Sequence, residues 1–344
     1  MLIDPTNSIY KIDKIPNSEV FFPDYIQKYL NEYIAYLTMV KYSSHVVERI
    51  EMFSRNIHLC LIECYYGQHK SAQAYFKEAV SSLQLSNFYR KVSADTFYRA
   101  RKNQKSKLYQ ADGMFHICFE KRYLVGTQRY SYPGLPCLYL GSTVEVCCEE
   151  LNCWEKNLNI ARFKKNTPDD IYVFDLYFFE NYDFSALSDE EENIFVELWP
   201  LVACCSFSYQ NTRNMTFRPD YIIPQLLLEL IIDQNAEEQF HGSDTTVYGI
   251  RYHSVRKPLL NHISVQEKNK YINYVFPAMS CESTGFCQKL QSLFEVDEIF
   301  KLNDFNRNTK NRTFPLSRFR LFTDMHTKKY GGTISLPTFG MHKK

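Results

Sequence analysis

The sequence predicts an α+β fold in which an N-terminal helical bundle precedes a mixed β core. Apolar residues recur at helical spacing through the first 90 residues, and short β-rich segments separated by turns follow after about residue 95. Helices interrupt these segments without the regular strand–helix–strand alternation of a parallel sheet. We therefore expect a helical region at 1–92, a mixed domain at 93–285 and a C-terminal extension at 286–344.

Three amphipathic helices are predicted in the first region, at 22–40, 46–61 and 75–83. Pro23 suits the first turn of the first helix, where a missing backbone N–H costs nothing. The charged residues and histidines of this region are scattered and form no catalytic group. The helical region is therefore expected to have a structural or regulatory role.

The second region is predicted to contain six strands and two helices. The strands are predicted at 96–99, 115–119, 137–140, 171–177, 247–253 and 273–276. The helices are predicted at 143–151, with Ser142 as its N-cap, and at 224–233.

Composition excludes several classes of protein. A chain with 45% hydrophobic and 23% charged residues is typical of a folded globular protein. No stretch approaches the roughly 20 apolar residues that a membrane span needs, and no charged start precedes an apolar run. We expect a cytoplasmic protein that does not insert into a membrane.

Eleven cysteines could form disulfides, but the odd number and the adjacent pairs Cys147-Cys148 and Cys204-Cys205 favour buried thiols in a reducing compartment. Cys60 and Cys64 lie at helical spacing without nearby histidines, so they make a weak zinc site. No metal is predicted.

The C-terminal extension is basic, because residues 301–344 hold ten Lys or Arg and two Asp while the whole chain has a net charge of +1. Such a tail can contact nucleic acid, an acidic partner or the chain's own acidic surface. An ordinary solvated surface is the more common explanation.

The segment 128–142, running into 147–151, is dense in polar and aromatic residues that could bind a nucleotide. An arginine such as Arg129 suits bidentate recognition of phosphate oxygens, and Tyr139 can stack on a heteroaromatic ring. A carboxylate such as Glu150 can hold a ribose hydroxyl and counter developing positive charge. No phosphate-binding P-loop, dinucleotide-binding glycine motif, zinc-protease motif or hydrolase elbow is present.

Each of these residues also has an ordinary structural explanation. Arginines are mostly at the surface or ion-paired, Tyr139 lies in an apolar strand and Glu150 could be a helix-surface carboxylate. On the pattern alone, the ordinary explanations are favoured.

The order and spacing of these residues resemble the RES domain, a bacterial family named for its Arg, Glu and Ser. The similarity covers about 95–280 and is most specific in its central block. The matching segments are 97–101 (FYRAR), 129–142 (RYSYPGLPCLYLGS), Glu150, 249–254 (GIRYHS) and 273–277 (NYVFP).

The resemblance implies a fold similar to that of ADP-ribosyltransferase toxins and an enzyme that cleaves NAD⁺ between nicotinamide and ribose. It further implies that NAD⁺ is the substrate, that no cofactor is needed, and that water or inorganic phosphate is the acceptor. Family toxins are commonly restrained by a cognate antitoxin. An antitoxin or other regulatory protein is therefore an expected partner.

The resemblance also assigns roles to residues. Glu150 would hold the ribose, Ser254 would position the scissile end, and Arg99 would complete the catalytic set. Further substrate-binding residues would be Tyr98, Arg101, Arg129, Tyr130 and Tyr139. In these assignments Arg99 and Arg129 contact phosphates and Tyr139 stacks near nicotinamide. Arg101 is the second choice for the motif arginine, because alternation along a strand puts it on the same face as Arg99.

The chain departs from the family pattern in two places. Tyr130 and Ser131 stand where compact members commonly have Trp-Asn, which affects how nicotinamide would be held. Compact toxins also lack the helical region and the basic tail. These additions could provide autoinhibition, homo-oligomer formation or sensing of a trigger in place of a small antitoxin.

Two other functions remain open on the sequence. The first is ADP-ribosyl transfer to a protein or nucleic acid, for which the basic tail would recruit an anionic target. The second is a non-catalytic module that senses a nucleotide, in which NAD⁺ would bind and survive.

Overall fold

An eight-stranded sheet forms the centre of the molecule. The computed structural model describes residues 4, 6–16, 19–83, 85–102, 107–153, 158–179, 182–212, 215–241, 246–256, 269–280 and 282–303. In chain order the strands are β1 (Tyr89–Lys91), β2 (Thr96–Arg101), β3 (Cys137–Gly141), β4 (Asn159–Lys165), β5 (Tyr172–Asp175), β6 (Val247–His253), β7 (Ile272–Pro277) and β8 (Phe294–Lys301). The strand order in the sheet is β1-β5-β6-β7-β3-β2-β4-β8.

Strand pairing in this sheet is mixed. Only β5 and β6 are parallel among the described pairs, and the others are antiparallel. The register places Gly141 opposite both Tyr98 and Asn273, and Asn273 opposite Tyr252. The predicted α+β class is confirmed. The adjacent strands β2, β3, β7 and β6 bring together parts of the chain that are far apart in sequence.

Helices lie before, between and after the strands. They are α1 (Phe22–Met39), α2 (Ser44–Tyr65), α3 (His69–Ser81), α4 (Ala111–Met114), α5 (Val144–Leu151), α6 (Asp189–Ser206), α7 (Ile222–His241) and α8 (Gln288–Leu293). The three predicted N-terminal helices are confirmed. Their apolar stripes are buried, as the periodicity indicated.

The N-terminal helices pack against α6 and α7 in one continuous hydrophobic core with the sheet. Arg49 of α2 pairs with Glu197 of α6 at 2.6 Å. The hydroxyl of Tyr33 in α1 donates to the carbonyl of Val196 at 2.8 Å. The helical region is thus joined to the rest of the chain by polar contacts inside an apolar interface.

Helix α6 is an element that the sequence analysis missed. Ser188 and Glu191 form a capping box at its start, which satisfies backbone N–H groups that would otherwise lack partners. Most of its side chains are buried all around the helix, so no one-sided apolar stripe marks it. The capping box was the local signal that could have predicted it.

The strand predicted at 115–119 is wrong. This segment forms a turn that continues into a 3₁₀ helix from Phe119 to Leu124. His116 is buried in this segment, where its Nδ1 lies 2.8 Å from the carbonyl of Ile117 and its Nε2 accepts from the Cys287 N–H at 2.9 Å. Strands β1, β4 and β8 were not predicted.

Strand β8 closes one edge of the sheet and belongs to the predicted C-terminal extension. It pairs with β4, where Arg162 contacts both Asp297 and Glu298 and Lys164 lies 2.7 Å from Asp297. Residues 304–344, which carry most of the basic tail, lie outside the described residues.

Among the helices that the structure describes, none combines the length and apolar character that crossing a membrane requires. The cysteines of the described segments are free thiols, and most of them are buried.

Candidate active site

A cleft of about 410 Å³ lies where β2, β3 and α5 meet the segment that follows α6. The N-terminal region contributes Lys14 to the wall of the cleft. The neighbouring Ile15 fixes this region to the 208–210 segment through two backbone hydrogen bonds of 2.9 Å. Among the described residues its charged lining consists of five basic side chains and one carboxylate. These are Lys14, Arg99, Arg129, Arg218, Arg256 and Glu150. The cleft therefore suits an anionic ligand that meets a single carboxylate.

The position of Glu150 depends on how α5 starts. Thr143, rather than the predicted Ser142, is the N-cap: its hydroxyl accepts from the Val146 N–H at 3.2 Å and donates to the Lys270 carbonyl at 2.7 Å. Gly141 lets the helix approach β3, because a Cβ at that position would lie 2.5 Å from Val146 and 2.7 Å from Cys147. The last turn of α5 thus lies over the cleft.

Polar side chains from two strand ends hold the Glu150 carboxylate. The Ser254 hydroxyl donates to Oε1 at 2.5 Å, and the Asn273 amide donates to the same oxygen at 2.8 Å. Oε2 lies 3.4 Å from Nε of Arg256, whose guanidinium also donates to the Glu150 carbonyl at 3.1 Å. One carboxylate oxygen is fixed by buried donors and the other faces an exposed arginine.

Ser254 lies behind Glu150 rather than in the wall of the cleft. It is fully buried, and its N–H donates to the Tyr271 carbonyl at 2.7 Å. Its hydroxyl contacts Glu150 and accepts from the Arg256 N–H at 3.3 Å. In this position Ser254 contacts Glu150 and does not line the cleft.

Arg99 and Arg101 both lie on β2, but only Arg99 is among the residues that line the cleft. Arg99 donates to the Phe115 carbonyl at 2.9 Å, and burial together with the nearby Arg101 charge lowers its pKa to about 10. Arg101 donates to the Gly113 carbonyl and stacks 4.9 Å from the Tyr109 ring. Of the two arginines that the resemblance proposed, Arg99 is the one placed where a ligand in the cleft could contact it.

Arg129 lines the cleft but is largely buried, and most of its N–H groups bond to the protein. Its Nη1 donates to the carbonyls of Cys205 and Phe207 at 3.1 Å and to that of Asp220 at 3.4 Å. Its Nη2 contacts the Asp220 carboxylate at 3.4 Å. Arg129 therefore ties the turn before β3 to the C-terminal end of α6.

Of the three tyrosines predicted to bind substrate, Tyr139 lines the cleft. Its hydroxyl donates to Ser131 at 3.2 Å and accepts from the Tyr130 N–H at 3.3 Å. Tyr130 is fully buried with its ring 4.5 Å from that of Tyr252, and Tyr98 packs in a cluster with α5. Tyr98 and Tyr130 are not among the residues that line the cleft.

Several cleft residues were missed by the sequence analysis as site candidates, including Asn273, Arg256, Arg218 and Tyr221. Asn273 had a weak signal, because it is a polar residue that opens an apolar strand. Arg218 and Tyr221 had none, because they lie about 90 residues from Arg129 and approach it only through tertiary packing.

Comparison with known proteins finds a similarity to a protein named as a putative toxin. The chain is similar to a curated protein of Bacillus subtilis (strain 168) named "Putative toxin YopC", with 27% identity over 310 residues. The match covers 85% of this chain and 63% of that protein, so the chain spans less than two thirds of its relative's length. No protein-family profile and no solved structure matches the chain.

Proposed function

We propose that the protein is an NAD⁺-consuming enzyme that cleaves the bond between nicotinamide and ribose. The observation that carries this proposal is the Glu150 carboxylate, fixed at 2.5 Å from Ser254 and 2.8 Å from Asn273 in an otherwise basic cleft. A dinucleotide is complementary to the charges of this cleft. Its two phosphates can pair with the arginines, and its ribose, which becomes positively charged during the reaction, can pair with Glu150.

The chemistry follows from that arrangement. The bond between the ribose carbon and the nicotinamide nitrogen breaks with its electron pair going to the nitrogen, so nicotinamide leaves as a neutral molecule. The ribosyl group left behind has oxocarbenium character, which the fixed Glu150 carboxylate stabilises. An oxygen of water or inorganic phosphate then bonds to that carbon. Water releases one proton to the solvent in this step, whereas hydrogen phosphate attacks through an anionic oxygen and needs to release none.

Ser254 is assigned a positioning role in this mechanism. A serine nucleophile must reach the ribose carbon, whereas Ser254 is fully buried, does not line the cleft and donates its hydroxyl proton to Glu150. If Ser254 attacked the ribose, it would have to leave the carboxylate that the mechanism needs. Holding Glu150 in one orientation is the role that the contacts support.

Two further findings support the proposal. The segments that resemble the RES domain supply Arg99, Arg129, Tyr139 and Glu150, and all four line this one cleft. The similarity to a protein named as a toxin agrees with an enzyme that depletes an essential cofactor. The same proposal includes an ADP-ribosyltransferase-like fold and a toxin activity. It also includes restraint of that activity by an antitoxin or by self-association.

Product analysis tests the reaction. Purified full-length protein is incubated with NAD⁺, with and without inorganic phosphate, and the products are separated by reverse-phase chromatography and identified by mass spectrometry. We expect free nicotinamide in an amount equal to the NAD⁺ lost. Free ADP-ribose as co-product identifies water as the acceptor, and a phosphorylated ADP-ribose identifies phosphate.

Two outcomes would contradict the proposal. If NAD⁺ survives in both buffers while a known NAD⁺ hydrolase consumes it, the chain is not an NAD⁺-cleaving enzyme. If ADP-ribose is recovered attached to an added protein or nucleic acid rather than free, the enzyme is a transferase instead.

A further inference from the structure

We infer that Arg218 binds a phosphate group of the ligand in this cleft, and that Asp220 and Arg129 are positioning residues that hold this subsite in place. The inference rests on the proposed function for the identity of the full ligand. It assigns the phosphate contact expected of Arg129 to an arginine in the segment after α6. Its basis is a comparison of Arg129 and Arg218: which nitrogens of each guanidinium already donate to the protein among the described contacts.

Arg218 presents a guanidinium that is held from one side. Its Nε donates to Asp220 Oδ1 at 2.9 Å and its Nη2 donates to Oδ2 at 2.7 Å. Its guanidinium carbon lies 4.0 Å from the centre of the Tyr221 ring. Among the contacts that the structure describes, the two bonds to Asp220 engage Nε and Nη2, Tyr221 is the other side-chain partner, and Nη1 is the nitrogen that can donate to a phosphate.

Arg129 is placed differently. Three carbonyl oxygens share its Nη1, and the Asp220 carboxylate takes a bond from its Nη2. A phosphate that bound Nη1 of Arg129 would have to displace carbonyls at the end of α6, and those buried acceptors would then lack partners. Arg129 is therefore suited to fixing the position of Asp220 and the α6 end.

Asp220 orients Arg218 without cancelling the charge of the subsite. Its side chain is fully buried and contacts both arginines, at 2.7 Å for Arg218 and 3.4 Å for Arg129. One carboxylate against two guanidiniums leaves a net positive charge beside the cleft. Because bidentate contact fixes the plane of the guanidinium, less freedom is lost when a phosphate binds.

Binding of ADP tests the inference without requiring any cleavage of NAD⁺. Affinities of the full-length protein for ADP and for adenosine, which lacks phosphate, are measured by isothermal titration calorimetry. We expect the wild type to bind ADP more tightly than adenosine. Arg218→Lys should weaken ADP binding about 10-fold to 100-fold and leave adenosine binding unchanged, since a lysine keeps the charge but has no second edge to offer.

The structure offers a matched control in a second buried Arg–Asp pair. Arg251 pairs with Asp175 at 2.8 Å and stacks 5.8 Å from Tyr177, and its side chain is 14% exposed, as against 15% for Arg218. It is not among the residues that line the cleft. Arg251→Lys should therefore leave ADP affinity unchanged.

The Asp220→Asn variant distinguishes two roles of Asp220: orienting Arg218, or only neutralising positive charge in the cleft. If Asp220 only neutralised the cleft, removing its charge would tighten ADP binding. If it orients Arg218, the same change weakens ADP binding. Should Asp220→Asn not fold, the paired change Arg218→Gln with Asp220→Asn, which keeps a neutral hydrogen-bonded pair, should still lose the preference for ADP over adenosine.

Equal ADP affinity in Arg218→Lys and wild type would overturn the inference, as would an equal loss in Arg251→Lys or no ADP binding by the wild type. Failure of the proposed function looks different. If NAD⁺ stays intact but ADP binding depends on Arg218, the cleft binds phosphate without this chemistry. If NAD⁺ is cleaved and Arg218→Lys leaves its KM unchanged, the reaction stands and the Arg218 assignment is wrong.

Discussion

Glu150 owes its orientation to two neutral donors that come from separate strands. Ser254 follows β6 and Asn273 lies in β7, yet both donate to one carboxylate oxygen. These two bonds fix the position of the carboxylate, which the proposed mechanism places beside the positive ribosyl centre. The opposite oxygen contacts only the exposed Arg256 among the ion pairs that the structure describes.

Removing the Ser254 hydroxyl should therefore reduce turnover more than substrate binding. We expect Ser254→Ala to lower kcat about 10-fold to 100-fold with little change in KM, because Glu150 keeps its charge but loses one fixed contact. Initial rates of NAD⁺ loss over a range of NAD⁺ concentrations measure both constants. The control is Ser54→Ala, which removes another buried serine, in α2. An unchanged kcat in Ser254→Ala would show that the hydroxyl does not orient the carboxylate.

The sequence could predict part of this site because part of it is contiguous. Arg129, Tyr139 and Glu150 fall within about 20 residues, and their spacing carried the resemblance. Asn273 and Arg218 reach the same cleft through the pairing of β3 with β7 and through the packing of the segment after α6. No local pattern encodes those contacts, so the structure was needed to find them.

At the scale of elements, the predicted helices include both α1, which is buried on one face, and α7, which is largely buried over 222–231, so burial on all faces does not by itself explain why α6 was missed. Helix α1 was predicted almost to the residue, whereas α6, buried on nearly every side, was missed. The run at 115–119 has the composition of a strand but pairs with no strand among the described residues, and its His116 accepts instead from the N–H of Cys287, the N-cap of α8. Short apolar runs do not by themselves specify strand pairing.

The approach of α5 to β3 makes Gly141 a sensitive position. We expect Gly141→Ala to destabilise the fold by about 1–3 kcal/mol and to lower turnover, because the new Cβ pushes on Val146 and Cys147 and so moves the helix that carries Glu150. Urea unfolding and the rate of NAD⁺ loss measure the two effects. Gly126→Ala is the control, since a Cβ there meets no atom within 4 Å. Wild-type turnover in Gly141→Ala would mean that the close approach does not position Glu150.

At the scale of the whole molecule, the N-terminal helices and the sheet share one core. The Arg49–Glu197 pair joins α2 to α6, and the α6 end in turn binds Arg129 beside the cleft. Packed and hydrogen-bonded residues therefore connect the helical bundle to the cleft. The sequence predicted the bundle correctly, but its contact with α6 could not be inferred without knowing that α6 exists.

Acid should destabilise the fold through two buried histidines. Burial lowers the pKa of His253 to about 4 and also lowers that of His116, whose Nε2 accepts a backbone N–H and so must be unprotonated. The unfolded chain takes up these protons below about pH 6.5, so the stability that the neutral histidines provide is present above that pH and is lost as the pH falls toward 4. His253→Gln should reduce the loss.

Urea unfolding at pH 7.0, 5.5 and 4.5 measures this dependence. The wild type should lose more free energy of unfolding across the series than either His253→Gln or His116→Gln. His45→Gln, which changes an exposed histidine of α2, should behave like the wild type. Parallel pH curves for all four proteins would contradict the account.

Release of nicotinamide from NAD⁺ by the wild type and by Glu150→Gln tests the central claim most directly, with Glu149→Gln as the matched control on the same helix. Glu149 is not among the residues that line the cleft, whereas Glu150 is. We expect the wild type and Glu149→Gln to release nicotinamide. Glu150→Gln should release it at least about 100-fold more slowly while its free energy of unfolding is preserved. Equal release by all three proteins would contradict the central claim, as would no release by the wild type.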